Sequence, residues 1–142
     1  MRKYYISTWE KERDRRYIFP AVCDSEMKNI SRIHPLLQKQ ADAVYRAVCG
    51  DRNISMIIVF GSALNMRCTG KSDIDLAVKL KEECISDEMK NSISEKIQAA
   101  CDWNADIVWR DRLQESDQIL QDIRKGVILL EQAAETGKSE AS

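Results

Sequence analysis

The sequence predicts an α+β domain, a two-layer arrangement in which a small mixed β-sheet carries packed helices, and three observations support this. The run Met56-Ile57-Ile58-Val59-Phe60 is too short for a typical helix and rich in β-branched and aromatic residues, as a buried strand is. From Asp73 to Leu80 apolar and other residues alternate with period two, the signature of a second strand. Ala105-Asp106-Ile107-Val108-Trp109 reads as a third, and the helix-length segment before it suits a crossover connection between strands.

The helices follow from apolar spacing and end signals. Pro35 suits a first helical turn, and Leu37, Ala41, Val44, Tyr45 and Val48 then recur at helical spacing up to Gly50. His34, the single histidine, sits at the start of this helix, where a structural role outweighs catalysis. Asp51-Arg52-Asn53 forms the turn into the first strand. Beyond Leu80, Ser86 caps a helix that turns Met89, Ile93, Ile97 and Ala100 toward the core. A third helix over 116–125 presents Ile119, Leu120 and Ile123 and ends at Gly126 as a C-terminal cap. Val127-Ile128-Leu129-Leu130 then adds a strand or continues that helix, since one internal glycine costs only about 1 kcal/mol.

Composition bounds the function. A length of 142 residues predicts one domain. A net charge of −1 with 32% charged residues describes an ordinary protein surface and makes nucleic acid an unlikely partner. The five cysteines, Cys23, Cys49, Cys68, Cys84 and Cys101, are odd in number and contain no Cys-x-x-Cys pair, so they are expected to be reduced and mostly buried. No apolar run approaches the ~20 residues of a membrane span and the first residues are charged, so the expected location is the cytoplasm, without membrane attachment. The chain divides into an N-terminal extension over 1–33, a main domain over 34–134 and a disordered tail over 135–142. In the extension Trp9, Arg13, Arg15, Arg16 and Tyr17 form a candidate nucleic-acid patch, but Glu10, Glu12 and Asp14 favour a solvated or partner-facing helix that Pro20 stops near Phe19.

The chemistry-bearing stretch is residues 56–80. Period two puts Asp73, Asp75 and Ala77 on one strand face and Ile74, Leu76, Val78 and Leu80 on the other. Two carboxylates ~6 Å apart repel by roughly 2–3 kcal/mol at an effective dielectric of 20, so a partly buried pair favours a bound cation or a raised pKa. Oxygen ligands suit Mg²⁺. A bare Asp-x-Asp is most often a solvated strand face; what changes the reading is Gly61-Ser62 at the end of the preceding strand. Glycine permits close backbone approach, Ser62 donates a hydroxyl and an amide to an anion, and residues 63–67 are expected to form a short helix whose N-terminus faces the same place.

Gly61-Ser62, ten residues, then Asp73-Ile74-Asp75 resembles the nucleotidyltransferase superfamily typified by DNA polymerase β, most closely its minimal nucleotidyltransferase (MNT) members. The resemblance covers roughly residues 35–131 and implies the polymerase β-like fold. It further implies nucleotide phosphates on Gly61 and Ser62, and two Mg²⁺ ions held by Asp73, Asp75 and a third carboxylate on a later strand. Asp106 is favoured for that place over Asp102, which precedes the strand, and Asp111, which follows it. It would be a metal ligand or the base that receives the acceptor proton. Ser72, Lys71 and Arg67 are weaker phosphate candidates. The implied activity is transfer of a nucleoside monophosphate, AMP from ATP, to a hydroxyl acceptor. Minimal relatives often pair with HEPN-domain ribonuclease toxins, which implies an antitoxin that modifies a toxin tyrosine. The alternatives are an aminoglycoside-type adenylyltransferase acting on a small molecule and a catalytically idle antitoxin that acts by binding.

Overall fold

The computed structural model describes residues 18–65, 68–69 and 72–132. Helix α1 (Pro35–Val48) begins as Pro35 dictates, and the His34 ring caps it, its Nδ1 accepting the Leu36 amide hydrogen at 3.1 Å. The single histidine is thus a helix cap. Strand β1 (Ile54–Phe60) starts two residues before the apolar run, and β2 (Ile74–Leu80) follows the Gly-Ser turn. Helix α2 (Asp87–Ala100) is capped by Ser86, whose Oγ accepts the Met89 amide hydrogen at 3.1 Å. Then come β3 (Ala105–Trp109), α3 (Gln118–Arg124) and β4 (Val127–Glu131).

The four strands lie in the order β3-β2-β1-β4. β1 pairs antiparallel with β2 and with β4, while β2 and β3, joined through α2, run parallel. The sheet is therefore mixed, as the crossover requires. Its two faces are covered differently. On one, Ile57, Val59, Ile74, Leu76 and Val78 are buried against Leu37, Ala41, Val44 and Val48 of α1 and Ile93 and Ile97 of α2. On the other, Phe60, Ala77 and Ile123 form a smaller cluster with Ile58, Val108, Leu113 and Ile119 around them. Two helices back the sheet, and α3 lies across the face that bears the carboxylates.

One end signal acts differently from expectation. Residues 127–131 are a strand, which settles that alternative, and α3 closes at Lys125. Gly126 is needed for close approach: a Cβ there would lie 2.5 Å from both Ile58 Cγ2 and the Val59 carbonyl oxygen. The hairpin-like return of α3 into β4 presses the backbone onto β1 and leaves no room for a side chain. The cysteines are all free, but only Cys68 and Cys101 are buried; Cys49 is exposed beyond the last turn of α1, and Cys23 and Cys84 are half-covered. The expectation of mostly buried thiols is corrected: all five stand outside the α-helices and strands, and only Cys68 and Cys101 reach into the core cluster.

Residues 18–33 pack on the domain, with Phe19, Met27, Ile30 and Ile33 buried. Two polar side chains one turn apart on α1 hold this strap. Gln38, fully buried, accepts the Val22 amide hydrogen at 2.8 Å and donates to the carbonyls of Pro20 and Ile33 at 2.9 Å each. Asp42, 2% exposed, accepts from the Ser25 hydroxyl at 2.5 Å and from Arg46 at 2.7 and 2.9 Å. Both obey the rule that buried polar groups find partners. At the strap's end the His34 amide donates to the Ala63 carbonyl at 2.7 Å, linking the start of α1 to the Gly-Ser turn. The expected helix around Trp9 and the tail lie outside the described residues.

Gly126→Ala is expected to lower stability by about 1–3 kcal/mol, because the added methyl meets a fixed backbone oxygen that cannot rotate away. Urea unfolding should show a lower midpoint with an unchanged slope. An unchanged midpoint would mean that the α3–β4 junction yields freely.

Candidate active site

The site forms at one end of the sheet because the strand register brings its parts together. In the β1–β2 pair Phe60 stands opposite Asp75, so Gly61, the next residue, folds back over the Asp75 side chain. In the parallel β2–β3 pair Asp75 stands opposite Asp106. Neighbouring strands lie ~4.8 Å apart, so carboxylates at paired positions on one face converge. Asp73 precedes β2 by one residue and is exposed, Asp75 is half-buried and Asp106 is exposed. The register thus sets Asp106, and not Asp102 or Asp111, opposite Asp75.

Gly61 adopts φ +81°, a left-handed backbone that favours glycine. A Cβ on it would collide with an Asp75 carboxylate oxygen, with the carboxyl carbon only 3.3 Å away. The dihedral therefore favours glycine, and the Asp75 carboxylate would have to move for any side chain at this position to fit. The turn after it is a single 3-10 segment, Gly61–Leu64, closed by the Asn65 amide donating to the Ser62 carbonyl at 3.2 Å. This corrects the expected helix over 63–67: the helical turn begins at Gly61, and Asn65 is already extended, with φ −142° and ψ 179°. So short a turn supplies local amide donors and no helix macrodipole.

Burial raises the Asp75 carboxyl, the negative charges of Asp106 and Asp73 raise it further, and a hydrogen bond with Asp106 adds to this, so that it is pushed up to about 6. The same crowding that retains a proton also favours a cation. The donor set is all carboxylate oxygen, which fits a hard ion such as Mg²⁺. Among the described residues no three acidic, imidazole or thiol groups already close into a metal cage, so the Asp75–Asp106 pair with Asp73 beside it would hold ions with ligands completed by water or substrate oxygens.

The other candidates divide. The Ser62 side chain stands in the Gly61–Leu64 turn at the Asp75 end of the sheet. Ser72 is engaged locally, its Oγ accepting the Thr69 amide hydrogen at 3.0 Å while its own amide donates to the Thr69 carbonyl at 3.0 Å. That hydroxyl shapes the Thr69–Ser72 turn. Arg67 and Lys71 lie outside the described residues. Farther down the same face lies a cleft of about 170 Å³ lined by Ala77 and Ile123 of the smaller cluster and by Lys79, Arg110 and Arg124.

Two features escaped sequence reading. Lys90, only 7% exposed, donates to Asp111 at 2.7 Å and sits 5.8 Å from the Trp109 ring centroid, so it ties the end of β3 to α2. The signal was a lysine on the apolar stripe of Ile93 and Ile97. The loop entering β3 is the second. Helix α2 ends in a Schellman-type close, the Trp103 amide donating to the Gln98 carbonyl at 2.8 Å with Asp102 at φ 58°. That motif accounts for Asp102. It does not account for Trp103, which is itself left-handed at φ 64°, a conformation that costs a bulky residue about 1–3 kcal/mol.

A mixed sheet that gathers three aspartates and a Gly-Ser turn at one end is the architecture of a nucleotidyl-transfer domain. The family model for polymerase beta nucleotidyltransferases matches residues 45–135, more than half of the chain and all of the site, and the chain belongs to that family. Among curated proteins no sequence matches it. Solved structures are similar to it, among them three toxin–antitoxin complexes. A tri-AMPylated HEPN toxin from Shewanella oneidensis in complex with an MNT antitoxin aligns at 20% identity and a TM-score of 0.47, over 67% of this chain and 72% of the other. A MntA–HepT toxin–antitoxin complex aligns at 19% and 0.45, over 67% and 73%. A toxin–antitoxin with AMP-PNP aligns at 21% and 0.49, over 65% and 73%.

The raised Asp75 pKa sets the sign of a pH effect. An acid whose folded pKa is raised favours the fold fully below the usual carboxylate value near 4, and that contribution is lost as pH rises through about 6. Asp75→Asn should therefore stabilise the metal-free protein at pH 8 by about 1 kcal/mol, a figure already reduced for solvent screening, and the gain should vanish by about pH 4. Denaturation midpoints of both proteins across that range check it. A gain of the same size at every pH would point to packing instead of charge.

Proposed function

We propose that the chain is a metal-dependent nucleotidyltransferase that moves AMP from ATP onto a protein hydroxyl, a tyrosine of a HEPN-type toxin, and so acts as an antitoxin. The observation that supports this is the register Phe60–Asp75–Asp106, which sets the Gly61–Leu64 turn against Asp75 and Asp75 beside Asp106 at one sheet end, with Asp73 two residues before Asp75. Family membership supplies the reaction class. The HEPN partner rests on the resemblance of the Gly61-Ser62 and Asp73-Ile74-Asp75 motif to minimal nucleotidyltransferases.

In this reading the amides of the Gly61–Leu64 turn and the Ser62 hydroxyl bind the β- and γ-phosphates. Asp73, Asp75 and Asp106 hold two Mg²⁺ ions, which when bound neutralise charge developing on the α-phosphate and on the leaving pyrophosphate. The acceptor oxygen forms a bond to the α-phosphorus, the bond from that phosphorus to the bridging oxygen of pyrophosphate breaks, and the acceptor proton passes to Asp106. Asp75 would serve as a ligand only in its ionised form. No helix among the described residues is long and apolar enough to cross a membrane.

Calorimetry with ATP and Mg²⁺ should give binding that is lost in the Asp73→Asn/Asp75→Asn double variant, whereas Ser62→Ala should weaken it only about 10-fold because backbone donors remain. Undiminished Mg²⁺-dependent binding in the double variant would overturn the metal assignment. Intact masses of the HEPN-domain protein from the same host, incubated with this chain, ATP and Mg²⁺, should rise by whole AMP units, and Asp73→Asn should abolish the gain. Inhibition of that protein by the aspartate variants with no mass gain would establish an idle binder. Labelling confined to an aminoglycoside would establish the small-molecule enzyme.

A further inference from the structure

Trp103 is the most exposed large apolar residue described, with 68% of its surface in solvent, and its place in the fold gives that exposure a meaning. It stands three residues before Asp106, at the mouth of β3, and the neighbouring Asn104 carbonyl accepts the Ile74 amide hydrogen at 3.0 Å, so the loop borders Asp73. The loop is anchored from below. Gln98 accepts the Trp103 amide on its carbonyl, and its side chain accepts from the Ala105 amide at 3.1 Å and donates to the Ala105 carbonyl at 2.7 Å. Cys101, buried beneath, receives the Asn104 amide on its carbonyl at 3.2 Å. The indole is thus carried outward on a fixed backbone. A C-terminal close of this kind usually buries the residue at this position against the preceding helix; here it faces solvent.

We infer that Trp103 is an anchor for the protein acceptor, packing against the surface that carries the acceptor hydroxyl. The inference rests on the nucleotidyl-transfer reading above, and the sheet order decides which substrate the indole meets. Gly61 and Ser62, which bind the phosphates, follow β1, whereas Trp103 precedes β3, two strands or ~9.6 Å across, on the side of the proton-accepting Asp106. Large rigid aromatics dominate the energetics of protein interfaces. Asp102, exposed beside the indole and outside the metal site, suits an acceptor surface bearing lysine or arginine near its hydroxyl.

The test uses the full chain and the HEPN-domain protein of the same host as probe. Association of the two is followed by interferometry without nucleotide, AMP transfer by intact mass, and Mg²⁺–ATP binding by calorimetry. Trp103→Ala should weaken association at least 10-fold and raise the KM for the acceptor while kcat and ATP affinity hold; Trp103→Phe should retain most of the association. If ATP affinity falls as much as acceptor affinity, Trp103 stacks on the nucleobase and the inference is overturned. Wild-type association and KM in Trp103→Ala, or no association of the wild-type chain with the probe, overturn it as well. Should association depend on Trp103 while no AMP is transferred, the anchor stands and the transfer reading falls.

Discussion

The structure turns on the contact between Gly61 and Asp75. A residue with a side chain at position 61 would occupy the space of the Asp75 carboxylate, and the left-handed φ of Gly61 would resist it as well. That contact exists only because Phe60 pairs with Asp75, and the same residue of β2 pairs with Asp106 on its other side. A slip of one residue in either pairing would turn Asp75 to the buried face, among Leu76 and Ile93, where an unpaired charge is far too costly. The apolar alternation of β2 and the requirements of the site are thus the same constraint.

The remaining parts support that edge from three directions. Helices α1 and α2 fill the opposite face, so the sheet is rigid beneath the carboxylates. Helix α3 closes part of the carboxylate face, with Ile123 packed in one cluster with Ala77 and Phe60. The strap from residue 18 onward runs back through His34, whose amide is bonded to the carbonyl of Ala63 within the Gly61–Leu64 turn. Gln38 and Asp42 hold this strap by satisfied buried polar contacts, which specify one path of the chain where apolar packing alone would allow several. A charge-crowded edge is held in place by packing that gains nothing from the crowding.

Local chemistry was readable without coordinates. Period two in β2, helical spacing in α1 and α2, the Pro35 start and the Ser86 cap are each written in a few consecutive residues, and the observed elements follow them closely. The Gly61-Ser62 and Asp73-Ile74-Asp75 pattern was legible for the same reason, since both halves lie within fifteen residues of one another. The role of Gly126 was not. As a cap it looked local, but its necessity comes from Ile58 and Val59, almost seventy residues earlier. Nor could spacing reveal that Gln38 and Asp42 are buried, because their partners sit in a segment with no periodicity of its own.

The sequence by itself determined the element types, the faces of each strand and the candidate aspartates, because those depend on dihedral preference and on the repeat of a single strand or helix. Only the tertiary structure decided that Asp106 lies against Asp75, that the short turn starts at Gly61 instead of Ala63, that α3 covers the carboxylate face, and that Trp103 stands in solvent beside it. These depend on strand order, register and the crossing of distant segments. Such relations are fixed by the collective burial of apolar area, a quantity that belongs to the whole chain and to no window of it.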